Sequence, residues 1–203
     1  MNHTGFWLIL LVWALYGILH SLLASLTVKE LVNRWLGPDL RRFYRLGYNL
    51  VVTVTLLPLL TEVALLPDGQ LYRIPFPWLG LTLLIEGLAG LGLLYGVLQT
   101  GAFQFLGLAQ LAAPPDSGGS PRLVTNGFYA YMRHPLYFFG LVILWLLPHM
   151  SWNLLAFNLG ATAYILVGIQ FEERKLLKEF GPAYAEYRRK VPMLLPWTKS
   201  HRR

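Results

Sequence analysis

Two short polar strings, Arg133-His134-Pro135-Leu136-Tyr137 and Glu172-Glu173, hold the side chains best suited by type and spacing to do chemistry. The first precedes an apolar run, and the second follows the next apolar run. Between the two runs lies Pro148-His149-Met150-Ser151. A helical hairpin would bring both strings to one membrane face. Cationic and hydrogen-bonding groups on one arm, with two carboxylates on the other, suit a zwitterionic ligand. Pro135 fits the first turn of a helix and restricts His134 to an extended backbone. His134 then projects from a helix N-terminus, whose free amides favour an anion beside Arg133. The competing reading is an ion-pair cluster that fixes the hairpin with no ligand.

The elements that must position these groups follow from composition. Of the 203 residues, 55% are hydrophobic and 13% charged, with a mean hydropathy of +0.48. Ordinary soluble domains carry about 25% charged residues, so the chain reads as a membrane protein. Continuous apolar runs predict helices, not the alternating strands of a lipid-facing barrel. Five spans are predicted: Gly5 to Leu26, Leu46 to Leu66, Pro77 to Leu98, a short Pro135 to Leu147, and Trp152 to Phe171. The first has neither a basic flank nor a small-residue cleavage site, so it reads as a retained span. Fold class is therefore an all-α integral membrane protein whose last two spans form a helical hairpin. Residues 1–203 are expected to make one domain, with three spans in 1–99 and a loop, the hairpin and a tail in 100–203.

The net charge of +7 comes from basic residues beside the spans, which the positive-inside rule explains better than nucleic acid does. It predicts an outside N-terminus and a cytoplasmic C-terminus. The long loop from Thr100 to Met132 and both polar strings then share the cytoplasmic face. Beyond Phe171, residues Leu176, Leu177, Phe180, Tyr184, Tyr187 and Val191 recur at helical spacing, with a stop and restart at Gly181-Pro182. They predict an amphipathic helix near the membrane surface. The absence of cysteine excludes disulfides, thiolate metal sites and a cysteine nucleophile.

Helix rise gives the fourth span a length of about 20 Å and the stretch from Ser151 to Glu173 about 33 Å. Straight helices would leave the carboxylates overhanging the start of the fourth span by roughly 10 Å, a ligand-sized gap in place of a direct salt bridge. Glu86, mid-span in the third helix, is a functional candidate because a buried ionisable group is costly there. It is otherwise a neutral group hydrogen-bonded to Asn153 or Asn158. Gly92 and Gly96 make a small-residue face for close helix packing, within the chain or between copies. His20 reads as a packed histidine, with haem ligation as the sharper alternative.

Arg133-His134-Pro135-Leu136-Tyr137 followed by Glu172-Glu173 resembles the RHPxY…EE signature of the isoprenylcysteine carboxyl methyltransferase superfamily, which includes phospholipid methyltransferases. Leu123 to Tyr129 and the stretch from Phe180 through Tyr184, Tyr187 and Val191-Pro192 to Pro196 extend the resemblance over roughly the last 80 residues. His20 to Ser25, Phe43 to Asn49 and Phe103 to Gln110 are similar to NnrU-like proteins and bacterial methanethiol S-methyltransferases. The resemblance implies a membrane methyltransferase that uses S-adenosylmethionine. Arg133, His134, Pro135, Tyr137, Glu172, Glu173 and Tyr129 would hold that cofactor. Its carboxylate would meet Arg133 or His134, its ammonium Glu172 or Glu173, and its adenine an aromatic group such as Tyr137. Arg174 and Glu86 are the catalytic candidates, and Gln110 and Tyr131 the substrate candidates. The acceptor would be a small thiol or a lipophilic, isoprenylcysteine- or lipid-like molecule arriving through the membrane. The alternative is an NnrU-like haem protein with redox or isomerase activity, using His20 or His134. A further alternative is a non-catalytic scaffold clamped by ions.

Overall fold

The structure, a computed structural model, describes residues 4–25, 28, 30–32, 34–35, 44–101 and 123–195, and not the side chain of Arg45. In chain order the elements are α1 (Thr4–Ala24), α2 (Tyr44–Leu65), β1 (Gln70–Arg73), α3 (Trp78–Thr100), a 3-10 turn (Gly127–Ala130), α4 (Pro135–Trp145), β2 (His149–Ser151), α5 (Trp152–Phe180) and α6 (Pro182–Lys190). Among the described residues, four helices are long and apolar enough to cross a membrane: α1, Leu46–Leu65 within α2, α3 and α5. Helices are the form that satisfies backbone groups internally in lipid, and α2 carries Pro58 within it. With 11 residues, α4 is shorter, about 16 Å against a hydrocarbon core of about 30 Å.

The chain is mostly helical, but the all-helical expectation needs one correction. β1 and β2 pair as a two-stranded sheet. Trp152 N–H donates to Gly69 O at 3.1 Å and Ile74 N–H to Pro148 O at 2.8 Å, so the strands run in opposite directions. Extended interhelical segments use each other's backbone groups here, which hydropathy does not report.

Two compact units emerge. The first contains the described residues up to Tyr72 together with Met150–Ala161. There α1 packs on α2. Trp13 fills the space over Gly160, where a Cβ would lie 2.3 Å from its Cδ1. Asn153 is buried; its Nδ2 donates to Leu66 O at 3.1 Å and its N–H to Asp68 Oδ1 at 3.1 Å. Tyr48 Oη lies 2.6 Å from His20 Nε2.

The second unit contains Arg73–Thr100, residues 123–149 and the described residues from Thr162 onward. Its α3 and α4 pack closely. A Cβ on Gly92 would lie 2.6 Å from Phe139 Cζ, and one on Gly96 2.8 Å from Leu136 Cδ2. The small-residue face is therefore used inside the chain. Trp145 Nε1–H donates to Thr162 Oγ1 at 2.9 Å, tying α4 to α5. α5 runs on to Phe180, and Gly181, at φ +54°, turns the chain into α6, the stop and restart expected there.

Candidate functional site

The second unit gathers most of the predicted site residues at the start of α4. Leading into it, Arg133 N–H donates to Pro192 O at 2.9 Å and His134 N–H to Met193 O at 3.1 Å. The tail beyond α6 thus lies alongside the Arg133-His134 string as a backbone partner. Pro135 is buried at the first position of α4, and His134 O accepts from Phe138 N–H at 3.0 Å, so the proline starts the helix as expected.

Glu173 projects from α5 into this junction and is 4% exposed. Its Oε1 accepts from Arg133 Nε at 2.7 Å and lies 2.6 Å from Arg133 Nη2. Its Oε2 is 3.2 Å from Arg188 Nε. His134 Nε2 lies 3.2 Å from the same Oε1. Arg133 Nη1 turns the other way, donating to Val191 O at 2.6 Å and Arg188 O at 3.0 Å. It satisfies carbonyls at the C-terminal end of α6, where a cation is favoured.

The expectation of a ligand-sized gap in place of a direct salt bridge is therefore overturned for Glu173. Helix rise measures backbone separation only. Residue 133 sits before α4 in extended chain, and the long arginine side chain reaches the carboxylate directly. The ion-pair reading holds for this half of the constellation.

Glu172 is different. Its side chain is 43% exposed, and its Oε2 lies 3.7 Å from His134 Nδ1. That Oε2 is buried and has no hydrogen-bond partner. Tyr184, on α6, is buried with its Oη likewise unpartnered. Burial and the nearby Glu173 push this phenol up to about 12, outweighing the opposing pull of Arg133. It remains a protonated donor at neutral pH. Burial and Glu172 push Tyr129 up to about 12 as well. Burial, with Tyr184 beside it, raises Tyr187, whose Oη donates to Tyr129 O at 2.6 Å. Tyr137 sets its ring 5.6 Å from that of His134.

Arg133, His134, Pro135, Tyr137, Glu172, Glu173 and Tyr129 thus converge. Glu86 does not join them. On α3, Gly96 faces Leu136, and Glu86 lies ten residues away, about 15 Å along the helix. Its Oε1 is buried without a hydrogen-bond partner; the partners found for Asn153 and Asn158 are other groups, Leu66 O and Met150 Sδ among them. Tyr131 is exposed. Arg174 is exposed on α5, its Cζ 5.8 Å from the Phe171 ring centre. Gln110 lies outside the described residues.

Sequence reasoning missed Arg188 and Tyr184 as site-forming groups. Arg188 stands in the run Arg188-Arg189-Lys190, which reads as membrane-flanking charge. Tyr184 and Tyr187, three apart, carried a signal as one face of α6.

The groups assembled here fit a zwitterionic ligand. An ammonium would supply the donor that Glu172 Oε2 lacks, and an anionic or hydroxyl group the acceptor that Tyr184 Oη lacks.

Comparison with known proteins bears on which ligand. Residues 25–191 match the family described as "Protein of unknown function (DUF1295)". The chain is 31% identical to methanethiol S-methyltransferase 1 of Bradyrhizobium diazoefficiens, over 94% of this chain and 67% of that protein. It is 30% identical to methanethiol S-methyltransferase of Mycobacterium tuberculosis, over 95% of this chain and 78% of that protein. Protein-S-isoprenylcysteine O-methyltransferase of Xenopus laevis is 30% identical over 77% of this chain and 52% of its own length. No solved structure matches. The chain belongs to the DUF1295 family and is a membrane methyltransferase homologous to methanethiol S-methyltransferases and isoprenylcysteine O-methyltransferases.

Proposed function

We propose that this enzyme transfers a methyl group from S-adenosylmethionine to a small thiol, with lipophilic thioether-bearing carboxylates as the second acceptor class. The observation that carries the reading is the inequality of the two glutamates. Glu173 is consumed by Arg133 and Arg188, whereas Glu172 keeps one buried oxygen unpartnered beside His134. A site with one carboxylate to spare suits the ammonium of the donor's amino-acid end. Relatives similar over nearly the whole chain are named for methanethiol, which favours a small thiol as acceptor.

Glu172 would hold the ammonium, and Tyr184 Oη and the amides opening α4 the carboxylate. His134, wedged between two carboxylates, would keep Glu172 aimed. Arg133 has each of its three nitrogens engaged and acts as the clamp that fixes Glu173, the start of α4 and the end of α6. When bound, S-adenosylmethionine would supply an activated methyl group on sulfonium for displacement by the acceptor sulfur, with the thioether S-adenosylhomocysteine as leaving group. Positioning supplies much of the acceleration in such an in-line displacement. A thiol acceptor arriving as thiolate has already lost its proton to water. The exposed Tyr131 and Arg174 are assigned to the acceptor side, with Glu86 on a route from the membrane interior.

Five crossings are proposed, α4 being the short fourth, with the N-terminus outside and the ionic cluster cytoplasmic. Basic flanks support the orientation. The Trp145–Thr162 and Arg133–Glu173 contacts support an α4–α5 hairpin held at both ends. The haem reading has no comparable support: His20 Nε2 faces Tyr48 Oη, and both His134 nitrogens face carboxylates.

The test is to supply purified enzyme with S-adenosylmethionine and either methanethiol or S-farnesylcysteine. Dimethyl sulfide and S-adenosylhomocysteine should appear together with methanethiol. Failure with both acceptors, and no binding of S-adenosylhomocysteine by calorimetry, overturns the proposal.

A further inference from the structure

We propose that Gln99 is a positioning residue that sets the approach of the Arg133-His134 string to the site, by occupying the seat left open by Gly127. Gln99 lies in the last turn of α3, and Gly127 opens the 3-10 turn that leads to Tyr129 and then to Arg133. Gly127 has φ +59°, a conformation that L side chains rarely adopt. A Cβ at this position would stand 1.8 Å from Gln99 Nε2 and 2.8 Å from its Oε1. The glutamine amide therefore fills the space that any other residue at 127 would need.

The same amide addresses both flanks of the glycine. Gln99 Nε2 donates to Asn126 O, and Phe128 N–H donates to Gln99 Oε1, each at 3.4 Å. These bonds are long, so the steric seat carries the inference and the bonds give it direction. One turn earlier on α3, Tyr95 sets its ring 5.1 Å from Phe128, which lies 5.0 Å from Phe139. Phe139 in turn covers Gly92. α3 thus grips the turn with an amide at its end and an aromatic one turn below. Beyond the turn, Tyr129 O receives Tyr187 Oη, and Arg133 reaches Glu173. A shift of the turn is passed to Arg133 through six residues of chain, two of whose backbone bonds close back on Phe128 O.

This inference rests on the proposed cofactor site for its functional consequence, but the seat itself does not. Hydrogen exchange and ligand binding are measured on full-length protein in detergent for wild type, Gln99→Ala, Gln99→Glu, Gly127→Ala and the Gln99→Ala/Gly127→Ala pair. In Gln99→Ala, the Phe128 amide and those through His134 should exchange at least several-fold faster, with α1 and α2 and the melting temperature unchanged. S-adenosylhomocysteine affinity and the KM for methyl donor should weaken about tenfold while kcat changes little. Gln99→Glu, which keeps the acceptor for Phe128 N–H, should recover part of both losses. Gly127→Ala should be worse than the double variant, because removing Gln99 frees room for the added Cβ. Unaltered exchange in Gln99→Ala, or losses in the two single variants that simply multiply in the double, overturns the proposal. If exchange responds as expected but wild type binds no S-adenosylhomocysteine, the seat stands and the cofactor assignment falls.

Discussion

Arg133 directs two nitrogens, Nε at 2.7 Å and Nη2 at 2.6 Å, onto a single oxygen of Glu173, leaving the other oxygen to Arg188 at 3.2 Å. The pair is almost fully buried, at 9% and 6% side-chain exposure. Removing one partner of such a pair strands the other charge, at a cost of about 3–5 kcal/mol. Glu173→Gln and Arg133→Leu should therefore lower the melting temperature sharply, and with it every activity. Melting in detergent that matches wild type in either variant would contradict the clamp.

Glu172→Gln should behave otherwise. The side chain is half open to solvent and makes no hydrogen bond through Oε2, so stability should be unchanged. Affinity for S-adenosylhomocysteine should fall about tenfold, roughly 1.4 kcal/mol, because the amide keeps the shape and loses the charge. Calorimetry on a variant with wild-type melting makes the comparison clean. Equal affinity would remove Glu172 from the site.

Tyr184 and Tyr129, held at about 12 against an ordinary 10.0, fix the sign of an alkaline effect. The folded state keeps these protons where the unfolded chain has released them. Their contribution to stability is thus complete below about pH 10 and is lost as pH rises toward about 12. Tyrosinate absorbance should show a late-titrating group of phenols that includes these two and Tyr187, and Tyr184→Phe should leave one fewer. Ordinary titration of every tyrosine would refute the burial argument.

Gly92→Ala should destabilise by about 1–3 kcal/mol, since its Cβ would meet the Phe139 ring at 2.6 Å. Phe139→Leu in the same chain should restore part of the loss. Thermal melting of the two variants and their combination decides it, with strict additivity as the unfavourable result.

Glu86→Gln separates the acceptor route from the cofactor site. Lying about 15 Å along α3 from the level of Leu136, it should leave S-adenosylhomocysteine affinity within twofold of wild type while changing the KM for the acceptor. A large loss of cofactor affinity would place Glu86 in the wrong pocket.

The membrane spans were legible because lipid enforces long apolar helices, and four of them fall within two residues of the expected starts. The site strings were legible because Pro135 announces a helix start and paired glutamates are conspicuous in an apolar chain. Two things were not. The reach of Arg133 to Glu173 depends on side-chain length and on the extended chain before α4, neither of which helix rise reports. The seat of Gln99 on Gly127 joins residues 28 positions apart through a backbone angle, and nothing in either residue type announces it.

The bonds from Arg133 to the carbonyls of Arg188 and Val191 bear on biosynthesis. Chains are made from the N-terminus, so α6 is translated after the elements it ties together. Until it docks, the guanidinium lacks two of its acceptors and Glu173 lacks Arg188. The ionic cluster is therefore completed only once residue 191 has been made, and a nascent chain shorter than this can form α1 to α5 without it. On the proposed function, only molecules whose synthesis has run past residue 191 carry a finished donor site.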